Sequence, residues 1–139
     1  MEETKIQFNT IPIGYEWSFE HLITDADIET FAKLTGDTNP LHLDNDFANS
    51  TSFNGRVVHG MLAASFFSAL VGKYLPLRAN LYVKQTLEFK KPIRPNTNVT
   101  VSGKIIRIIE SMKVIVIRTT ISDGKEMFIE GEAWVMGYE

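Results

Sequence analysis

Two side chains suited to proton transfer, Asp37 and His42, stand five positions apart in the run Thr35-Gly36-Asp37-Thr38-Asn39-Pro40-Leu41-His42. A carboxylate and an imidazole held at one point can take a proton from water and return one elsewhere, which is general acid–base catalysis. The residues around them suit a sharp turn. Gly36 fits the position just past a helix end, where a positive φ is favoured. Pro40 cannot continue a helix and pushes Asn39 towards an extended conformation. Asp37 and His42 are therefore expected on an irregular connection, where a turn can bring them together without a shared helical face. A plainer reading stands beside this one. Asp37 could bond its own neighbouring amides in an Asx turn, and His42 could be an ordinary loop histidine.

The balance depends on a second feature, Val58-His59-Gly60-Met61, at the expected start of an apolar helix. Helix starts expose unpaired N–H groups and carry partial positive charge. Gly60 lacks a side chain, so a ligand oxygen could reach its amide, as in an oxyanion site. Gly60 could equally serve only tight packing against a strand. His59 reads as a structural hydrogen-bonding residue rather than a second catalyst. Ser65 and Ser68 could support a site or bond carbonyls within the helix. Lys84, Lys90, Lys91 and Arg94 form a loose basic group, read first as a solvated face and second as a phosphate site.

These residues need elements to hold them. Tyr15 to His21 is expected as a short strand. Thr24 has the character of an N-cap, with Asp25 and Asp27 in the first turn of a helix over Asp25–Thr35. The stretch Gly36–Asn54 reads mostly as loop, with a helical turn near Asp46–Asn49. The apolar run predicts a helix over Val58–Leu75, ended by Pro76 and hydrophobic nearly all round, hence buried on most sides. Leu81–Phe89 alternates as a strand. Val99–Ile109 alternates and then changes phase near Ile105-Ile106, the signature of a bulge. Lys113–Ser122 and Glu126–Met136 flank Asp123-Gly124, a hairpin turn. The pattern is α+β: a strongly curved antiparallel sheet around one buried helix, in a single domain over residues 1–139. A small sheet of this kind leaves an edge or face to cover, so a homodimer is expected.

Bulk properties narrow the chemistry. The 139 residues carry a formal net charge of −3, which offers no electrostatic case for nucleic acid. Cysteine is absent, which excludes disulfides, thiolate metal sites and a cysteine nucleophile. His21, His42 and His59 have no zinc-ligand spacing, and no metal site is expected. Neither a phosphate-cradling glycine loop nor a Gly-x-Ser-x-Gly elbow occurs. The apolar run is too short to span a bilayer, and the N-terminus lacks signal-peptide organisation. No membrane partner is expected, and a cytoplasmic location is.

The chain resembles the MaoC-like, (R)-specific enoyl-CoA hydratases of the hot-dog fold. The resemblance is carried by Phe31, Leu34, Thr35, Gly36, Asp37, Asn39, Pro40, Leu41, His42 and Ala48. Val58-His59-Gly60-Met61-Leu62 and Ser68 resemble that family's central helix. The resemblance implies a trans-2-enoyl thioester substrate and an (R)-3-hydroxyacyl thioester product. It implies Asp37 and His42 as catalytic residues, with Gly60, Asn39 and Ser68 on the substrate side. Acyl chains would lie in an apolar tunnel beside the helix, completed in part by a second subunit. No metal or redox cofactor is implied, because hydration is redox-neutral. Three alternatives remain: a hot-dog thioesterase, a 3-hydroxyacyl-[acyl-carrier-protein] dehydratase, and a non-catalytic acyl-thioester binding subunit. The segment Val57 to Leu75 has no Asp or Glu, which counts against the first. The non-catalytic subunit would normally lack one of the pair, yet both are present.

Overall fold

The alternating apolar residues form an antiparallel sheet, and the computed structural model describes residues 7–77 and 79–138. Its strands are β1 (Glu16–Ile23), β2 (Asn80–Gln85), β3 (Glu88–Phe89), β4 (Thr97–Ile109), β5 (Val114–Ser122) and β6 (Met127–Gly137). The order is β1-β4-β5-β6-β2, with β3 pairing on β6 beside β2. Among the described residues the α-helices are α1 (Asp25–Thr35), α2 (Pro40–Leu43), α3 (Asn45–Asn49) and α4 (Gly60–Ala69).

One face of the sheet packs on α4. Leu62, Ala63, Phe67 and Leu70 meet Ile23, Val99, Val101, Ile121 and Ile129 in a buried cluster. Each large apolar side chain removed from water there stabilises the fold by about 1.5–3 kcal/mol. The sheet also grips the end of the helix from two sides. Trp17 Nε1 on β1 donates to the Leu70 carbonyl at 2.9 Å, and Asn80 on β2 reaches the Val71 carbonyl at 3.4 Å. Gly103, opposite Trp17 on β4, leaves the space that the indole occupies.

Local signals act where expected. Thr24 caps α1 in a reciprocal box with Asp27, and Gly36 ends that helix at φ 82°. The β4 phase change is a register shift between Ile105 and Arg107. Three expectations need correction. The helix does not run over Val58–Leu75: Val58 donates to the Ile93 carbonyl at 2.7 Å, α4 begins at Gly60, and Leu70–Tyr74 is a π turn. It is also not buried on most sides, because Met61, Ser65 and Ser68 are exposed in this protomer. Leu81–Phe89 is not one strand. It breaks after Gln85 so that Thr86 N–H can donate to the Glu132 carbonyl at 2.9 Å. The loop expectation also missed α2, a single turn whose first residue is Pro40.

Gly131 allows that break to close. A Cβ there would lie 1.8 Å from the Thr86 carbonyl oxygen, a backbone atom that cannot yield cheaply. Gly131→Ala should therefore destabilise the fold by about 1–3 kcal/mol, read as a lower denaturant midpoint. An unchanged midpoint would contradict the close approach.

Candidate active site

The turn after α1 assembles itself from short polar side chains. Thr35 Oγ1 accepts from Asp37 N–H at 3.3 Å, and Asp37 Oδ1 accepts from Asn39 N–H at 3.2 Å. Asn39 Oδ1 then accepts from Leu41 N–H at 3.1 Å, capping α2. The Asx-turn reading of Asp37 is thus correct as local geometry. It leaves the second carboxylate oxygen uncommitted, so it does not exclude chemistry.

α2 places His42 against the segment that leads into α4. Val57 N–H donates to the Leu41 carbonyl at 3.3 Å, and His42 Nδ1 lies 2.7 Å from the Val57 carbonyl. A carbonyl only accepts, so Nδ1 carries the proton and Nε2 of the neutral ring keeps its lone pair. Arg56 braces this region. Its guanidinium reaches Asp25 at 2.8 Å, Asn45 at 2.7 Å and the His42 carbonyl at 3.4 Å. The Arg56 hydrogen bond holds the Asp25 carboxyl below its ordinary range.

His59 is 1 % exposed and lies beneath both groups. Its Nε2 donates to the Asp37 main-chain carbonyl at 3.1 Å, and its ring lies 4.0 Å from that of His42. Asp37, His42 and His59 each offer an atom within 4.8 Å of the others, a gathering that their spacing in the chain does not reveal. The two imidazoles stack at 31°, so they present faces to one another rather than a converging ligand set. Burial pushes the His59 pKa below its ordinary 6.5, against the opposing effect of the bond to Asp37.

His59 is the N-cap residue of α4 but makes no capping bond. The amides at the helix start therefore keep their hydrogens for another partner. Gly60 lines the same cleft as Asp37 and His42, a cavity of about 470 Å³. It also packs tightly, since a Cβ would come within 2.7 Å of the Phe89 ring on β3. The tight-packing reading of this glycine is thus observed, and the helix start beside it carries no side-chain cap.

A second, largely apolar cleft of about 720 Å³ runs along α4 past Phe31, Ala64, Ser68, Tyr82 and Leu87. Asp37 and Met61 line both clefts. Ser68 thus lines the apolar cleft, about 12 Å along the helix axis from Gly60, and shares that cleft with Asp37. Asn39 is exposed and shapes the turn. Ser65 bonds the Leu62 carbonyl. The basic group is not one patch. Lys90 pairs with Glu130 at 3.0 Å, Lys91 with Glu126 at 3.2 Å, Lys84 lies over Trp134, and Arg94 bonds the Phe53 and Arg56 carbonyls. Sequence reasoning missed the Arg56 brace and the Met61 position, and it found His59 only as a generic hydrogen-bonding residue. An unusual histidine at an N-cap position was the available signal.

A curved antiparallel sheet clasping one helix is the hot-dog fold, and within it a carboxylate and an imidazole, groups suited to proton transfer, face that helix's uncapped start. The chain belongs to the MaoC-like domain family, whose model matches residues 7–126. It is 40% identical to an (R)-specific enoyl-CoA hydratase of Rhodospirillum rubrum, over 93% of this chain and 90% of that protein. A 3-hydroxybutyryl-CoA dehydratase of Methylorubrum extorquens is 34% identical, over 94% of this chain and 83% of its own length. Among solved structures, an (R)-hydratase from A. caviae involved in PHA biosynthesis superposes with a TM-score of 0.88 at 35% identity. That match covers 93% of this chain and 98% of that one.

His59 also sets a pH dependence. Its folded pKa is depressed, so unfolding takes up a proton once the pH falls below the ordinary 6.5. The stability it contributes is complete above that value and is lost as pH falls towards the folded pKa. The difference in unfolding free energy between wild type and His59→Gln should therefore change with pH below 6.5 and be flat above it. Chemical denaturation over a pH series measures this, and a difference flat throughout would mean that His59 titrates freely.

Proposed function

We propose that this protein is an (R)-specific enoyl-CoA hydratase that adds water across the double bond of a trans-2-enoyl thioester, reversibly. One observation carries the reading: the Asp37 carboxylate and the free Nε2 side of His42 face the uncapped start of α4 in a single cleft. The (R) outcome and the CoA thioester rest on the relatives' names.

The chemistry follows from those groups. Water held between Asp37 and His42 loses a proton to one of them as its oxygen bonds to C3. The electron pair of the double bond moves onto the thioester carbonyl, whose oxygen becomes an enolate. The amide of Gly60, at the positive end of α4, donates to that oxygen. Collapse of the enolate takes a proton at C2 from the pair, so no redox equivalent or metal is consumed. The apolar cleft past Ala64 and Leu87 takes the acyl chain, and the cleft past Lys90 takes the thioester arm.

Thioester hydrolysis is the weaker reading. α4 and the π turn after it carry no carboxylate, whereas hot-dog thioesterases typically place an acidic catalyst on or facing that helix. A homodimer is supported by exposed apolar residues on the β2–β3 edge: Leu81 is 52%, Val83 48% and Phe89 51% exposed. No helix among the described residues is long and apolar enough to cross a membrane, in keeping with a cytoplasmic enzyme.

Purified protein should remove the enoyl-thioester absorbance of crotonyl-CoA without releasing free CoA. Asp37→Asn and His42→Ala should each lower kcat by about 10²–10⁴-fold with the circular dichroism unchanged. Release of CoA instead, or near-normal rates in both variants, defeats the assignment. Val83→Glu should convert the dimer to a monomer in sedimentation, because a desolvated charge would face the partner; a dimer that persists would place the interface elsewhere.

A further inference from the structure

We propose that His59 is a positioning residue that holds Asp37 and His42 in one constellation, by its Nε2–H bond to the Asp37 carbonyl and by its face against the His42 ring. The inference rests on the hydration reading and deepens it. His59 touches no reacting atom in this role and acts only through the two groups that do.

Three observations support it independently of any titration. The Asp37 turn is exposed, and the side-chain bonds at Asp37 and Asn39 join near neighbours within residues 35–41. Those bonds shape the turn, and the Val57 N–H bond to the Leu41 carbonyl holds its His42 end but not Asp37. The 3.1 Å bond from His59 spans 22 residues and ties the Asp37 backbone to the start of α4. His42 likewise has its ring edge fixed by Val57, and His59 lies against its face at 4.0 Å. One imidazole therefore touches both acid and base, and as the chain neighbour of Gly60 it ties Asp37 to that helix start while Val57 holds the edge of His42.

The second observation is the manner of burial. A histidine kept purely for packing would have both nitrogens satisfied or be replaceable by an apolar side chain. His59 Nδ1 has no hydrogen-bond partner among the described residues. Its hydrogen bond among the described residues is the Nε2–H bond to the Asp37 carbonyl.

The third observation is the helix start. Position 59 is the N-cap of α4, where a short oxygen-bearing side chain would fold back onto the first amides. Histidine reaches away to Asp37 instead, so the same residue leaves the oxyanion donors open. Its neutral state also matters beside its neighbours. Asp37 and His42 are the charged or titratable groups adjoining its ring, with Phe31 at 4.9 Å. A second positive charge stacked on His42 would oppose protonation of the base during turnover.

The test compares His59→Leu with His59→Gln on crotonyl-CoA. Leucine keeps the bulk and removes the donor, whereas the glutamine amide N–H can reach the Asp37 carbonyl. His59→Leu should lower kcat by about 10–100-fold and move KM less than about twofold, because misplacing reacting groups by a fraction of an ångström acts on the chemical step. His59→Gln should recover most of that loss. Wild-type kcat in the leucine variant overturns the proposal. So does glutamine no better than leucine, or a loss confined to KM. A readout independent of activity comes from ¹⁵N-resolved NMR of the wild-type imidazoles. The His59 Nε2 proton should be present and slow to exchange, with Nδ1 unprotonated. A proton on Nδ1, or fast exchange at Nε2, overturns the tether even if the leucine variant fails to fold. A wild-type protein that does not hydrate enoyl-CoA, yet holds a slow Nε2 proton, refutes the hydratase reading and leaves the tether standing.

Discussion

The short extended segment Val57–Val58 is the constraint on which the site depends. On one side it accepts His42 Nδ1 and donates to Leu41; on the other Val58 donates to Ile93. Both valines are nearly buried, so these bonds are shielded from competing water. The segment fixes the acid–base turn to the start of α4 in one step. Without it, α2 would be a single exposed turn, and an isolated helix so short has no stability of its own. The Asp37–His42 pair is therefore ordered by long-range bonds more than by its own helix.

The sheet supplies the opposing support. α4 is held by apolar contact with four strands, and Trp17 secures its far end through the Leu70 carbonyl. This leaves the helix start free of side-chain caps, a condition that would ordinarily cost it stability. The large apolar burial behind α4 outweighs that loss of about 1 kcal/mol. Core packing thus makes affordable an open set of amides, and the open amides are what a developing enolate needs. The close approach of Gly60 to Phe89 ties the same helix start to β3 and so to the mouth of the cleft.

Much of this was legible in the chain. Thr24, Gly36 and Pro40 state their local conformations through capping, positive φ and a locked ring, and the structure follows each of them. The β4 bulge showed in the phase of its apolar residues. The edge strand misled, because Leu81, Val83 and Phe89 alternate like core residues yet are exposed in a single protomer. Periodicity reports which residues share a face; it does not report whether the face meets this chain or another. The length of α4 misled for a related reason: apolar residues continue through Val57 and Leu75, but a backbone bond from Val58 to Ile93 claims one end and a π turn the other.

The sequence by itself determined the identities and local geometry of the site: a carboxylate in an Asx turn, an imidazole one turn later, a glycine at a helix start, and a family signature joining them. Local bonds between near neighbours are encoded by residue type, so they can be read without coordinates. Only the tertiary structure decided that Asp37, His42 and His59 converge, that Arg56 braces three helices, and that Ser68 lines a cleft along α4 that Asp37 also lines. Those relations join residues far apart in the chain, and burial of the helix against the sheet is what closes the distance between them.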